Sequence, residues 1–216
     1  IQNKKAEWRT ICGKATQIIA PSNAIAEAMC RNGLSREKVT VIPHGIPKTT
    51  QPVVLSERSD KIRFFYVGRI CRVKGVHVLL EAFNGIPASN KSELHIIGGA
   101  GNKGEQRYMD ALQHRYTASN IVWHGKVAPD KVFDTIKDFD VMVHPTICLE
   151  IFGLNIAEAL AMNKPVLATR CGGAEMQIFE NVNGWLVTPN DVEALRTKMD
   201  WIVENGISFN LSRLSD

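Results

Sequence analysis

The sequence predicts an α/β fold on a doubly wound, parallel, Rossmann-like sheet, and three observations carry that prediction. Short apolar runs alternate with amphipathic stretches from residue 61 onward. Most runs lack the polar alternation of a half-exposed strand, as strands covered on both faces should. The stretches between them are long enough for one helix each, which is the pattern of repeated strand–helix units in a parallel sheet.

The apolar runs are residues 62–67 (IRFFYV), 94–97 (LHII), 121–123 (IVW), 141–143 (VMV), 165–168 (PVLA) and 185–187 (WLV). Helical spacing appears at 76–83 (VHVLLEAF), 106–116, 129–136, 153–162 and 191–203. Pro129 with Asp130 suits a helix start, and Asn190-Asp191 with Glu193 behind it suits an N-cap. The first 60 residues read differently. Residues 16–20 (TQIIA) form one strand, and Ser22 caps a helix through Arg31 that Gly33 ends. Residues 39–42 (VTVI) form another strand, followed by Pro43-His44-Gly45 and a Pro/Thr-rich stretch to Pro52. The division is residues 1–47 as the tail of a preceding domain and a hinge, 48–60 as a linker, and 61–216 as the main domain. The chain starts on Ile1 in a helical-looking segment, which suggests a piece of a longer protein.

Bulk composition narrows the function classes. The 216 residues are 44% hydrophobic and 22% charged, ordinary for a packed soluble domain. A net charge of +4 is a mild excess, suited to anionic small molecules or a membrane surface and too weak to argue for nucleic acid. Five cysteines without a Cys-x-x-Cys pair read as free thiols in a reducing, cytoplasmic setting. No apolar run approaches the roughly 20 residues that cross a bilayer. No Asp-x-Asp pair occurs, so there is no sequence case for a catalytic metal.

In such a sheet, ligands bind outside the carboxyl ends of the strands, so the loops after the runs are where chemistry belongs. After the fourth run come Glu150, then Phe152, Gly153 and Leu154 opening a helix that carries Glu158. A helix start has unpaired N–H groups and a dipole that favours anions, and Gly153 allows close approach to the backbone. Glu158 stands among small and apolar neighbours, where a carboxylate needs hydrogen-bond donors; a diol supplies two. After the first run, Gly68, Arg69 and Lys74 stand at a strand-to-helix turn, with both cations able to reach a diphosphate. Arg72 reads as solvated. Gly99-x-Gly101-x-x-Gly104 formally fits a dinucleotide fingerprint. The next strand ends in His124-Gly125 with no acid for a ribose, so the stretch reads as a tight turn near the ligand. His144 is a candidate for the wall of the cleft.

The stretch EIFGLNIAEALAMNKPVLATRCGGAEM, from Glu150 on, resembles the Glu-x7-Glu motif region of glycosyltransferase family four. Its Glu150 and Glu158 match the two acids, with Ile151 where the family usually has Pro. Gly68-Arg69 and Lys74-Gly75 match the family's Gly-Arg-x4-Lys-Gly. The stretch APSNAIAEAMCRNGLSREKVTVIPHGI, ending at Ile46, resembles the end of the family's acceptor domain and its hinge. In all, the resemblance runs over residues 16–204.

The resemblance implies a GT-B fold and the donor-binding half of a retaining, metal-independent enzyme. Such an enzyme transfers a hexose-type sugar from a UDP, GDP or ADP sugar. It implies that Arg69, Lys74 and the N–H groups at Phe152, Gly153 and Leu154 meet the diphosphate, with Gly68 and Gly99 beside the ligand. Glu158 would hold the ribose, Glu150 would orient the sugar, and the backbone at Gly125, Lys126 and Val127 would line the base. The catalytic set expected on this basis is Glu150, Arg69 and Lys74, with no metal and no resident cofactor. A sugar, lipid or glycan acceptor would dock on the missing N-terminal domain, so these residues alone would transfer poorly or not at all. The expected place is the cytoplasm, with peripheral contact at the inner face of the membrane compatible with the charge. The competing readings are a GT-B epimerase or phosphorylase-like enzyme, an NAD-binding Rossmann dehydrogenase, and a nucleotide-sugar-binding regulatory module.

Overall fold

A computed structural model describes residues 2–46, 61–86 and 91–207, with side chains from residue 6. The expected linker at 48–60 and the last residues after 207 lie outside the described part. The main sheet has six parallel strands: β3 (Ile62–Val67), β4 (Ser92–Ile97), β5 (Ile121–Gly125), β6 (Val141–His144), β7 (Val166–Thr169) and β8 (Gly184–Val187). Their order is β5-β4-β3-β6-β7-β8, all pairs parallel. The chain winds one way from β3 to β5, returns to the centre at β6, and winds the other way to β8. The order therefore reverses between β3 and β6, and the crevice at that reversal is where such sheets bind ligands.

Each strand has a reason to be buried on both faces. Phe64 and Tyr66 of β3 point into one core with Leu94, Ile96, Val141, Val143, Leu167 and Trp185. That core is closed by helices α3 (Val76–Asn84), α4 (Lys103–Arg115) and α8 (Val192–Asn205) through Leu79, Leu80, Leu112, Leu195 and Met199. Phe65, between Phe64 and Tyr66, points into the opposite core with Ile97, Met142, Val166 and Ala168. There α5 (Val132–Ile136), α6 (Leu154–Ala161) and α7 (Gly173–Gln177) cover the sheet through Ile136, Ile156, Ala159 and Ala174. Phe64 and Phe65 are both fully enclosed, each worth about 1.5–3 kcal/mol relative to exposure.

The helix signals resolve as local chemistry. Asp191 caps α8 by accepting from Ala194 N at 2.9 Å, and Asn102 caps α4 through Gly104 N and Glu105 N. Pro129 opens a 3₁₀ turn that leads into α5. α7, which no apolar period announces, is only five residues long. The preceding segment holds α1 (Gln2–Lys14), β1 (Ile18–Ala20), α2 (Asn23–Arg31) and β2 (Val39–Val41), with β1 and β2 parallel. Ser22 caps α2, accepting from Ile25 N, and its hydroxyl also donates to Ile151 O at 2.7 Å. That bond ties the first segment to the loop after β6. Among the described residues, no helix is long and apolar enough to cross a membrane.

On the β4–β5 side, His95 Nδ1 lies 2.9 Å from His124 Nε2, and the His95 ring stacks on Phe139 with centroids 4.2 Å apart. Burial, and then the neighbouring His124, push the His95 imidazole below its ordinary value of 6.5, while Glu93 opposes them. Burial lowers His124 as well. Histidines held neutral in this way bind fewer protons folded than unfolded, so their stabilisation is complete above 6.5 and lost as pH falls below it. The thermal midpoint should therefore drop by several degrees from about pH 7.5 to about pH 5. His95→Gln should shrink that drop, and an unchanged drop in the variant would show that this pair does not set it.

Candidate functional site

Two hollows open at the carboxyl ends of the central strands and share Val67 and Gly68 at the end of β3. The first, about 450 Å3, is lined by Gly68, Lys74, Glu150, Phe152, Gly153, Leu154 and Glu158, joined by His44, Ile151 and Asn155. The second, about 350 Å3, is lined by Gly68, Arg69, Gly99, Lys126 and Val127, with Ile97, Gly98, Ala100, Gly101 and Val132. The structure thus brings together eleven of the twelve site residues expected from sequence, across two adjoining hollows. The twelfth, Gly125, lines neither: its carbonyl accepts from Gly98 N at 2.8 Å, so it braces the second hollow from behind.

Close backbone approach builds this cleft. Gly98 has φ of +139°, and a Cβ there would lie 1.8 Å from Gly68 O. Only glycine lets the ends of β3 and β4 meet in that way. Gly75 is the second such point, where a Cβ would strike Pro145 O at 1.8 Å. With the Ile147 N to Val73 O bond of 3.0 Å, this contact clamps the turn carrying Lys74 onto the loop after β6. The Asn155 amide donates to Val67 O at 2.8 Å, seating the start of α6 against the end of β3. Gln177 donates to Phe152 O at 2.5 Å and holds the loop from α7.

Glu150 is the most heavily engaged group. Its backbone pairs with the Cys171–Gly173 segment: Glu150 N donates to Cys171 O, and Gly173 N donates to Glu150 O. Its carboxylate receives Lys74 Nζ at 2.5 Å, His144 Nε2 at 3.2 Å and Thr146 Oγ1 at 3.5 Å. Burial alone pushes the Glu150 carboxyl up, but the hydrogen bonds and charge of His144 and Lys74 outweigh it and hold it at about 2. His144 is 1% exposed. Burial pushes its imidazole down despite Glu150, so it is neutral. A carboxylate has no proton to give, so Nε2 carries the hydrogen and donates. That leaves Nδ1 buried with no partner among the described residues, a cost of about 1–3 kcal/mol.

Glu158 is the opposite case. It is half-buried on α6, burial raises its carboxyl pKa, and no group among the described residues donates to it. At the start of α6, Ile156 N and Ala157 N donate to Gly153 O, which leaves the N–H groups of Leu154 and Asn155 without a carbonyl behind them. Arg69 is exposed and pairs with Glu105 at 3.7 Å, while Glu105 also accepts from Gly101 N at 2.7 Å. Arg72 is exposed, as expected. Among the described residues, no three His, Cys, Asp or Glu side chains cluster in a way that could hold a metal ion.

Sequence reasoning missed one participant, His44, and one contact, that of His144 with Glu150. His44 lines the first hollow, its ring edge-on to Phe152 at 5.3 Å. It follows β2, so the rule that loops after strands carry chemistry points to it. His144 was placed at the wall, but its bond to Glu150 requires the fold, because the five intervening residues must loop back.

A doubly wound sheet with a cleft of cations and two carboxylates at its reversal point is a Rossmann-like ligand-binding domain. The comparisons make this specific. The model described as "Glycosyl transferases group 1" matches residues 47–213, and "Glycosyltransferase Family 4" matches residues 2–49. The chain belongs to the group 1 glycosyltransferase family. It is 29% identical over 199 residues to a D-inositol 3-phosphate glycosyltransferase of Xylanimonas cellulosilytica, covering 81% of this chain and 47% of that protein. It is 24% identical over 208 residues to an uncharacterised glycosyltransferase of Methanocaldococcus jannaschii, covering 93% and 53%. Among solved structures, HepE of Anabaena in complex with UDP and glucose aligns with a TM-score of 0.77 and 26% identity, over 88% of this chain and 54% of that one. Sucrose-phosphate synthase of Thermosynechococcus elongatus aligns with a TM-score of 0.79 and 25% identity, over 95% and 53%. The chain spans about half the length of the curated relatives it matches.

The raised Glu158 carboxyl has a direct consequence for stability. An acid raised by burial contributes stability below its ordinary value of 4.5 and loses it as pH rises through the folded value. At neutral pH the half-buried Glu158 carboxylate is therefore destabilising. Glu158→Gln should raise the thermal midpoint of the ligand-free chain at about pH 7 and change it less at about pH 4. A lower midpoint at neutral pH would mean that the carboxylate is satisfied after all.

Proposed function

We propose that this chain is the donor-binding half of a retaining glycosyltransferase. The enzyme moves a hexose-type sugar from a nucleoside-diphosphate sugar to an acceptor without a metal ion. The observation that carries the proposal is a single cleft, at the β3–β6 reversal, where an unpartnered half-buried acid, Glu158, shares the walls with Lys74 and Glu150. HepE, solved with UDP and glucose, supports a nucleotide sugar as the ligand class. Residues 1–47 are the tail of an acceptor domain and the hinge, 48–60 the linker, and 61–216 the donor domain. The acceptor would be brought by the rest of the first domain. The place proposed is the cytoplasm, with contact at the inner face of the membrane.

In this reading the base lies in the second hollow against Val67, Ile97, Val127 and Val132. Glu158 accepts from the two ribose hydroxyls, which supply the donors it lacks. The diphosphate lies over Gly68 at the start of α6, facing Lys74, with Arg69 at its flank. The sugar reaches Glu150. As the bond from the anomeric carbon to the phosphate oxygen breaks, the acceptor oxygen bonds the same face and its proton passes to the leaving diphosphate. Lys74, Arg69 and the helix N–H groups stabilise the negative charge that grows there, as a metal does elsewhere. Glu150 positions and does not attack. With Lys74 and His144 on one of its oxygens, its carboxyl stays ionised far below neutral pH.

Thermal shift against UDP, GDP, ADP and NAD tests the reading. At about 100 times the dissociation constant, the right diphosphate should stabilise by about 2.7 kcal/mol, and protection should persist in EDTA. Protection by NAD alone would sink the proposal. Glu158→Ala should weaken nucleoside diphosphate binding by about 1.5–3 kcal/mol per lost charge-assisted bond, read by calorimetry. Glu150→Gln should behave differently, because it frees Lys74 from its partner. Diphosphate affinity should hold or rise while affinity for the intact sugar donor falls, and equal losses for both ligands would refute the role given to Glu150.

A further inference from the structure

Glu150 presents two unequal oxygens. All three protein donors, Lys74 Nζ, His144 Nε2 and Thr146 Oγ1, converge on Oε2. Among the described residues, Oε1 has no hydrogen-bond partner. We infer that His144 is a positioning residue whose Nε2–H anchors Glu150 Oε2, so that Oε1 is left to accept a hydroxyl of the donor's sugar. The inference rests on the donor-site reading above and adds a function for a residue outside the cleft lining.

Three observations carry it. First, His144 is 1% exposed, and Glu150 is the one side chain its ring bonds among the described residues. Second, its Nδ1 is buried without a partner. An aliphatic side chain would fill the same space without stranding a nitrogen, so packing does not account for an imidazole here. Third, the backbone that aims the ring is clamped. Thr169 Oγ1 donates to Thr146 O at 2.5 Å and reaches His144 O at 3.4 Å, while Cys171 Sγ donates to Thr146 O at 3.2 Å.

The division of labour follows from the two donors' chemistry. Lys74 carries a freely rotating ammonium on a flexible stem, and once a diphosphate enters, that cation has two anions to serve. His144 is a rigid ring on a strand end, and burial keeps it neutral. It can hold Glu150 in place while Lys74 turns toward the phosphate, and it adds no positive charge that would draw the diphosphate toward Glu150. Thr146, at 3.5 Å, is too distant to do this alone.

Two substitutions separate the ring's nitrogens. Glutamine places its amide nitrogen near the position of Nε2, whereas asparagine places its own near Nδ1. His144→Gln, His144→Asn and His144→Leu would be titrated calorimetrically with a nucleoside diphosphate and its sugar. The pair would be UDP with UDP-glucose, GDP with GDP-mannose, or ADP with ADP-glucose, according to the base the thermal-shift panel selects. The Asn and Leu variants should bind the sugar donor about tenfold more weakly while keeping diphosphate affinity, and the Gln variant should stay near the unaltered chain. Their melting midpoints should not fall in step with the lost affinity, since Leu removes the stranded nitrogen. Equal losses for diphosphate and sugar donor would make His144 merely structural and overturn the inference. So would a Gln variant that behaves like Asn, or Asn and Leu variants that bind the sugar donor normally. No diphosphate binding by the unaltered chain overturns the donor-site reading itself, a result distinct from any of these.

Discussion

A carboxylate as enclosed as that of Glu150, 9% exposed, is tolerable only when donors surround it, and its donors come from separate segments. Lys74 arrives from the turn after β3, and His144 from the end of β6. The backbone on either side is pinned by the segment after β7. Removing any one of these would leave a buried charge short of a partner. The position of Glu150 therefore demands that β3, β6 and β7 end at the same level and side by side, which is the arrangement the parallel sheet supplies.

The same demand explains where the glycines are needed. Gly75 lets the Lys74 turn press against Pro145, and Gly98 lets the ends of β3 and β4 touch. A side chain at either point would push the cations away from the cleft. The cleft is thus a by-product of strand ends brought closer than ordinary side chains allow. It combines one acid that the protein satisfies, Glu150, with one that it leaves wanting, Glu158. The first is a fixed reference point held by protein donors, and the second, half-buried, takes no donor among the described residues. That asymmetry cannot be seen in a motif that names both acids alike.

Ser22 extends the constraint beyond the main sheet. Its hydroxyl caps α2 and donates to Ile151 O, next to Glu150. His44, farther along the same segment, packs edge-on to Phe152. The first 46 residues are therefore not simply attached to the main domain but contribute to the walls of its cleft. The loop bearing Glu150 is held from both sides.

By itself the sequence determined the class of fold, the six strands to within a few residues, and the identity of most cleft residues. Apolar runs of Phe, Ile and Val without polar alternation leave no stable option but burial on both faces, and that is a local property of the chain. The Glu150–Glu158 spacing with Gly153 between them is likewise local. Only the tertiary structure decided that Gly125 braces the cleft instead of lining it. It also decided that His44 belongs to the wall, and that Lys74, His144 and Thr146 share one oxygen of Glu150. Those facts join residues far apart in the chain, Lys74 and Glu150 by 76 positions and His44 and Phe152 by more, and such contacts exist only after the sheet has set the ends of its strands side by side.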